Sequence, residues 1–188
     1  MRTPGVCRGH STRELSSNDQ IPSEGTVTFV SGTGEVAVNV AANKPASEIS
    51  TFPGHNAGLA NDGSFDNKNA GNRGVCSHTN EPPVAGVRTW WQVDLEACYD
   101  ISSVIITTSV DCCADRLHDF DVDVYDKDPE MYPDATAQRC YHYVGSIPTG
   151  ATEDLVCENR PIRGRVVRVT NAPGYVLSLC EVQVMAVP

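Results

Sequence analysis

Three groups of residues in this chain have the types and spacing to do chemistry. Cys76-Ser77-His78 places a thiol near an imidazole, the two parts of a thiolate nucleophile. Cys76 is better used in a disulfide, so this is a weak case for an enzyme. Cys112, Cys113 and His118 are zinc-ligand types, but their spacing matches no standard zinc site. The third group is the adjacent pair Cys112-Cys113, flanked by Asp111, Asp115 and Arg116. Bonded to each other, the two sulfurs close a very small ring and form a rigid, flat, apolar bump, better suited to binding than to folding. Bonded to separate partners, they are ordinary structural cysteines. His10, His55 and His142 read as surface or loop residues. The chain contains no G-x-S-x-G, H-E-x-x-H, P-loop or G-x-G-x-x-G motif. Nothing here predicts catalysis.

These residues must be positioned by strands. Residues 1–25 are polar and aperiodic and read as a flexible arm. Residues 26–40 hold two short strand-like runs around Gly32-Thr33-Gly34. From about 41 to 89 the chain is rich in Gly and Pro, which forbids long helices. Strand signals then follow at residues 90–95, 102–110, 120–126, 143–147, 153–157, 164–170 and 180–187. Phe120, Val122 and Val124 alternate with Asp119, Asp121 and Asp123, which predicts a half-buried strand with a solvated acidic face. No segment keeps a helical period, and the expected class is all-β, an antiparallel β-sandwich.

Composition narrows the partners. The 188 residues carry 14 Lys+Arg against 24 Asp+Glu, a net charge of −10. That charge repels phosphates, so neither nucleic acid nor an anionic membrane surface is the expected partner. No apolar run is long enough to insert in a bilayer. Eight cysteines predict disulfides and an oxidising, extracellular setting. The first nineteen residues carry no apolar leader core, so the expectation is a secreted protein of which this chain is a piece.

Taken in order, Asn61-Asp62-Gly63, Cys76-Ser77-His78-Thr79, Trp90-Trp91-Gln92-Val93-Asp94-Leu95, Asp111-Cys112-Cys113-Ala114-Asp115-Arg116, Gly145-Ser146-Ile147 and Leu179-Cys180-Glu181-Val182 resemble the F-type lectin (fucolectin) domain. The resemblance covers residues 36–188 and leaves 1–35 as an N-terminal arm with room for an extra strand. It implies a discoidin-like jelly-roll sandwich and a non-catalytic lectin binding fucosylated glycans or glycoproteins. Fucolectins often oligomerise or occur in tandem, so a homo-oligomer or a longer polypeptide is expected.

The family's sugar site maps onto His78, Asp111 and Arg116, with fucose packing against an adjacent disulfide at Cys112–Cys113. A guanidinium offers a fixed fork of donors to vicinal hydroxyls, and an imidazole adds one more polar contact. One family arginine falls on Ser109, and the segment between His78 and Ser109 is longer than usual, the surplus falling in residues 81–89. A hydrogen bond from a charged donor contributes about 1.5–3 kcal/mol, so this loss predicts fucose binding weakened roughly 10- to 150-fold. Arg88, in the enlarged loop, could replace that donor but reads first as a solvated loop residue. The alternative function is a lectin-fold module that has lost fucose binding and takes another glycan or a protein surface. The resemblance also implies a structural Ca2+ held by the carbonyls of Leu59, Ser64, Val75 and Cys180 with the side chains of Asp62 and Glu181. Its disulfides are Cys76–Cys180, Cys112–Cys113 and Cys140–Cys157. Cys7 and Cys98 remain, to pair with each other or to leave Cys7 for another chain. Trp90, Trp91 and Asp94 are expected in the core and at strand edges.

Overall fold

The computed structural model describes residues 7, 29–30, 36–68, 74–81, 83–111 and 113–188. Its strands are β1 (Phe29–Val30), β2 (Val36–Asn39), β3 (Ala46–Glu48), β4 (Ser77–His78), β5 (Arg88–Thr107), β6 (His118–Tyr125), β7 (Ala137–Ser146), β8 (Thr152–Val156), β9 (Ile162–Pro173), β10 (Ser178–Leu179) and β11 (Glu181–Val187). Two single 3-10 turns, Ala57–Ala60 and Ala114–Arg116, interrupt them. Among the described residues no helix is long and apolar enough to cross a membrane.

β5 organises both layers. Its first half lies between β3 and β9, and its second half between β11 and β8. β6 and β7 extend the first layer beyond β9. β2 extends the second beyond β11 and pairs in turn with β1. All pairings are antiparallel, and the nine strands form one curled sheet that folds over itself. The two sequence segments 90–95 and 102–110 are therefore halves of one strand. Between them Glu96 takes a left-handed φ of 65° while the Asp94 carboxylate accepts its amide at 2.8 Å. Pairing with β9 jumps from Asp94 opposite Val166 to Tyr99 opposite Gly164, and this irregularity bends the strand from one layer into the other.

The core lies between the layers. Trp91, Val93 and Leu95 from the first half of β5, Val104 and Ile106 from the second, Phe120 and Val122 from β6, and Val182 and Val184 from β11 are all fully buried. The Trp91 indole N–H donates to the Ala57 carbonyl at 2.9 Å, fastening the first 3-10 turn to the core. Trp90 is half-buried under the Arg168 guanidinium, 4.2 Å from its ring, and Asp94 pairs with Arg165 at 2.7 Å.

Three expectations are corrected. Asp121 is not on a solvated acidic face. It is buried and receives Arg88, Arg139 and His142 at 2.6–2.7 Å. Burial pushes its carboxyl up, but hydrogen bonds from Arg88 and His142 outweigh that and hold it below the usual carboxylate range. Arg88 is accordingly no solvated loop residue. It opens β5, with Nε donating to the Asn171 carbonyl at 2.8 Å, and is committed to Asp121. His55, although in a loop, is buried with Nδ1 2.9 Å from the Cys76 carbonyl, whereas His142 is exposed on strand β7, as expected of a surface residue.

Cys76–Cys180 and Cys140–Cys157 are bonded as the resemblance implies, and Cys7 pairs with Cys98. Cys113 is also disulfide-bonded, while Cys112, its expected partner, lies outside the described residues. His10 lies outside them too.

Candidate functional site

One end of the sandwich is closed by the small β4–β10 pair, in which His78 faces Ser178. The His78 amide donates to the His55 carbonyl at 3.0 Å, and its carbonyl accepts from the Phe52 amide at 2.8 Å. The ring meets Phe52 edge-on, with centroids 5.2 Å apart. His78 is only 3% exposed, and neither ring nitrogen has a hydrogen-bond partner. Burial, followed by the nearby Arg116 charge, pushes its pKa down to about 4. It is therefore a neutral imidazole near pH 7, with one donor and one acceptor nitrogen.

Arg116 ends the second 3-10 turn, where its amide donates to the Cys113 carbonyl at 3.1 Å. Its position is set by Asn171, which is completely buried. The Asn171 amide nitrogen donates to the carbonyls of Arg116 (2.6 Å) and Val176 (2.9 Å), and its oxygen accepts from the His118 amide (2.8 Å). One side chain thus ties the end of β9 to two walls of the site. Tyr175, on the second wall, stacks nearly parallel on His118 with ring centroids 4.7 Å apart. Its carbonyl accepts from the Thr89 hydroxyl at 2.9 Å.

Between these walls lies an open cleft of about 730 Å3, lined by Glu81, Pro83, Cys113, Asp115, Arg116 and the 174–176 turn. Arg116 and Cys113, both expected in a sugar site, line it. His78 lies beneath Glu81, whose Oε1 is 2.6 Å from Arg116 Nη2 and 3.3 Å from His78 Nε2. Ser109 and Asp111 do not line the cleft. The Ser109 hydroxyl accepts from the Asp111 amide at 3.3 Å, its carbonyl accepts from Gly150 at 2.8 Å, and Asp111 is exposed. The part of the site assigned to Cys112 lies outside the described residues. Arg88, turned to Asp121, puts no guanidinium in the place of the missing arginine.

Glu81, Asn171 and Tyr175 escaped the sequence reading. Glu81 stands three residues after His78 at the head of the enlarged loop, a spacing that could have raised it. Asn171 ends the valine-rich run of β9, and a lone amide there was a signal of a buried polar hub.

Of the residues proposed for calcium, Asp62 lies close enough to Glu181 for its charge to act on that carboxylate. Cys76–Cys180 fastens the segment carrying Val75 to the segment carrying Glu181. Glu181 is 1% exposed, and neither carboxylate oxygen has a hydrogen-bond partner. Burial, then the Asp62 charge, raises its pKa to about 8. A buried carboxylate beside a second carboxylate, relieved within the protein only by the nearby Gly63 amide, is the charge pattern that a hard cation relieves. Asp62 Oδ1 accepts from the Ser64 amide at 2.8 Å, shaping the loop, and Leu59 sits in the 3-10 turn just before it. No group of three or more His, Cys, Asp or Glu suited to a metal occurs among the described residues, so most ligands would be carbonyls.

Residues 60–169 match the NedA-like, galactose-binding domain family. Fucolectin-4 of Anguilla japonica is 32% identical over 158 residues, 81% of this chain and 82% of its own length. An F-lectin from Morone saxatilis (striped bass) serum superposes with a TM-score of 0.67 at 29% identity, over 80% of this chain. This chain spans about half of the bass protein, 49% of its length. The lectin domain of lectinolysin, solved with Lewis B antigen, gives a TM-score of 0.62 at 28% identity, covering 78% of this chain and 94% of that one.

Proposed function

Since this chain belongs to the NedA-like, galactose-binding domain family, among its F-type lectins, we propose that it is a non-catalytic lectin for fucosylated glycans, with Arg116 and His78 as the polar contacts in its cleft. The observation that carries this reading is the approach of a guanidinium and a neutral imidazole to one shared oxygen, 2.6 and 3.3 Å away, beside a cysteine wall. Replace that oxygen with a sugar hydroxyl and the chemistry is complete. Arg116 donates to ring-substituent oxygens, His78 donates to or accepts from one hydroxyl, and the apolar edge of the sugar rests against Cys113. Fucose as the sugar rests on the relatives, one called a fucolectin and another solved with Lewis B antigen.

Asp62 and Glu181, with the carbonyls of Leu59, Ser64, Val75 and Cys180, are the residues that would hold Ca2+. Bound there, calcium supplies a positive charge between two carboxylates and ties the residue 59–75 loops to β11. Chelation with EDTA is expected to lower the melting temperature, and an unchanged temperature refutes the calcium assignment. A single cleft binds a small sugar weakly, so useful avidity calls for several clefts in an oligomer or tandem protein. The disulfides suit a secreted protein.

The test is a glycan array in calcium, fucosylated against fucose-free, with wild type and Arg116→Ala. Selective fucose binding that falls at least tenfold in the variant is the expected result. Binding that ignores Arg116 sinks the site. A folded protein silent on fucose transfers the cleft to another glycan or to a protein surface, the reading that Ser109 favours.

A further inference from the structure

We propose that Glu81 is a built-in competitor for the glycan: its carboxylate occupies Arg116 Nη2 and stands over His78, and a sugar reaches both only by displacing it. This rests on the glycan-binding reading of the same cleft. The contacts are unequal in a way that defines the roles. The His78 side chain is 4% exposed, whereas Glu81 is 41% exposed. Phe52 and His55 pack on the imidazole from within, and Glu81 is the exposed side chain against it and the one able to leave.

The backbone around Glu81 is arranged so that only the side chain need move. The Thr79 amide donates to the Leu177 carbonyl at 3.0 Å, and its hydroxyl accepts from the Leu177 amide at 2.9 Å. The Asn80 amide donates to the Ser50 hydroxyl at 3.1 Å. Rotation of the Glu81 side chain into solvent uncovers His78 Nε2 and Arg116 Nη2 together, because one oxygen, Oε1, stands 3.3 Å from the first and 2.6 Å from the second. The exchange is unfavourable for any neutral sugar, since Arg116 gives up a charge-assisted contact for bonds to uncharged hydroxyls. The carboxylate is well exposed, so the pair is screened and the penalty on binding is modest, about two- to fivefold. Ser109 and Glu81 therefore act in the same direction. One removes a donor, and the other shields the donors that remain.

The test uses the full oxidised chain in calcium with Lewis B tetrasaccharide as the probe, titrated calorimetrically. Glu81→Ala is expected to bind about three- to fivefold tighter than wild type, and Glu81→Gln, which keeps the shape without the charge, about twofold tighter. Glu158→Gln, an equal charge change at an exposed position outside the cleft, is expected to match wild type. Wild type that binds while Glu81→Ala binds equally or more weakly overturns the proposal and leaves the lectin reading intact. Binding by none of the proteins defeats the fucose reading instead. Shielding is then judged without sugar, from phenylglyoxal modification of Arg116 followed by peptide mass spectrometry. A several-fold faster reaction in Glu81→Ala supports the competitor role, and an unchanged rate overturns it.

Discussion

His78 and Asn171 show opposite ways of burying polar atoms. Asn171 satisfies its amide fully, with two donated hydrogen bonds and one accepted. Asn171→Ala orphans two carbonyls and an amide at the base of the cleft. We expect it to lower stability by about 2–3 kcal/mol in urea denaturation and to weaken glycan binding as Arg116 loses its anchor. His78 instead has no hydrogen bond to either ring nitrogen, Nε2 having only the Glu81 oxygen 3.3 Å away, and stays neutral in the fold, with a pKa of about 4 against an ordinary 6.5. The unfolded chain takes up its proton first. The stability linked to His78 is thus complete above pH 6.5 and drains away as pH falls toward 4. By pH 5 the loss amounts to about 2 kcal/mol. Denaturation at pH 7 and pH 5 checks this, since His78→Phe, which cannot titrate, should lose correspondingly less over the same interval. At this scale the sequence was half legible. Motif order pointed to Arg116 and His78, but a carboxylate folding back onto both has no signature except proximity. The acidic alternation of β6 misled for the same reason, because Arg88, Arg139 and His142 reach Asp121 from other strands.

The strands were legible because alternation of Val, Ile and Phe with polar residues leaves only one face to bury. β6, β9 and β11 lie where that pattern runs. What alternation does not encode is continuity. β5 read as two strands because Glu-Ala-Cys-Tyr-Asp breaks the pattern, yet the chain bends there without leaving the sheet. Two- and three-residue strands such as β3, β4 and β10 are too short to show any period, and β4 is the one that carries His78. The bend has a counterpart in β9, where Gly164 faces Tyr99. A methyl group on Gly164 would collide with the Val124 side chain and stand 2.9 Å from the Tyr125 carbonyl oxygen. Gly164→Ala should therefore force β6 and β9 apart and lower stability by about 1–3 kcal/mol, as overpacking of a dense interior does. Thermal unfolding reads it directly, and an unchanged melting temperature would mean that the layers yield at this crossing more easily than their packing implies.

For the whole molecule, the covalent connections outrank the sheet. In the chain-entropy picture, the bridge between Cys76 and Cys180, 104 residues apart, contributes about 4–5 kcal/mol, and the Cys140–Cys157 bridge, 17 apart, about 3. Reduction should therefore abolish the cooperative transition near body temperature, a result readable by circular dichroism. The family's pairings were foreseeable from motif order, whereas Cys7–Cys98 was one of two open options, because sequence does not say whether an odd cysteine finds a mate within its own chain. That pairing has a further consequence. The spans 7–98 and 76–180 overlap, so every peptide bond from Cys7 to Cys180 lies inside at least one closed covalent ring. A protease that nicks the chain once anywhere in that interval releases no fragment. The nicked product should migrate as a full-length species on a non-reducing gel and separate into two bands only after a thiol is added. The exposed loop around residues 84–87 is the natural place for such a cut, and a lectin cut there would remain one tethered molecule.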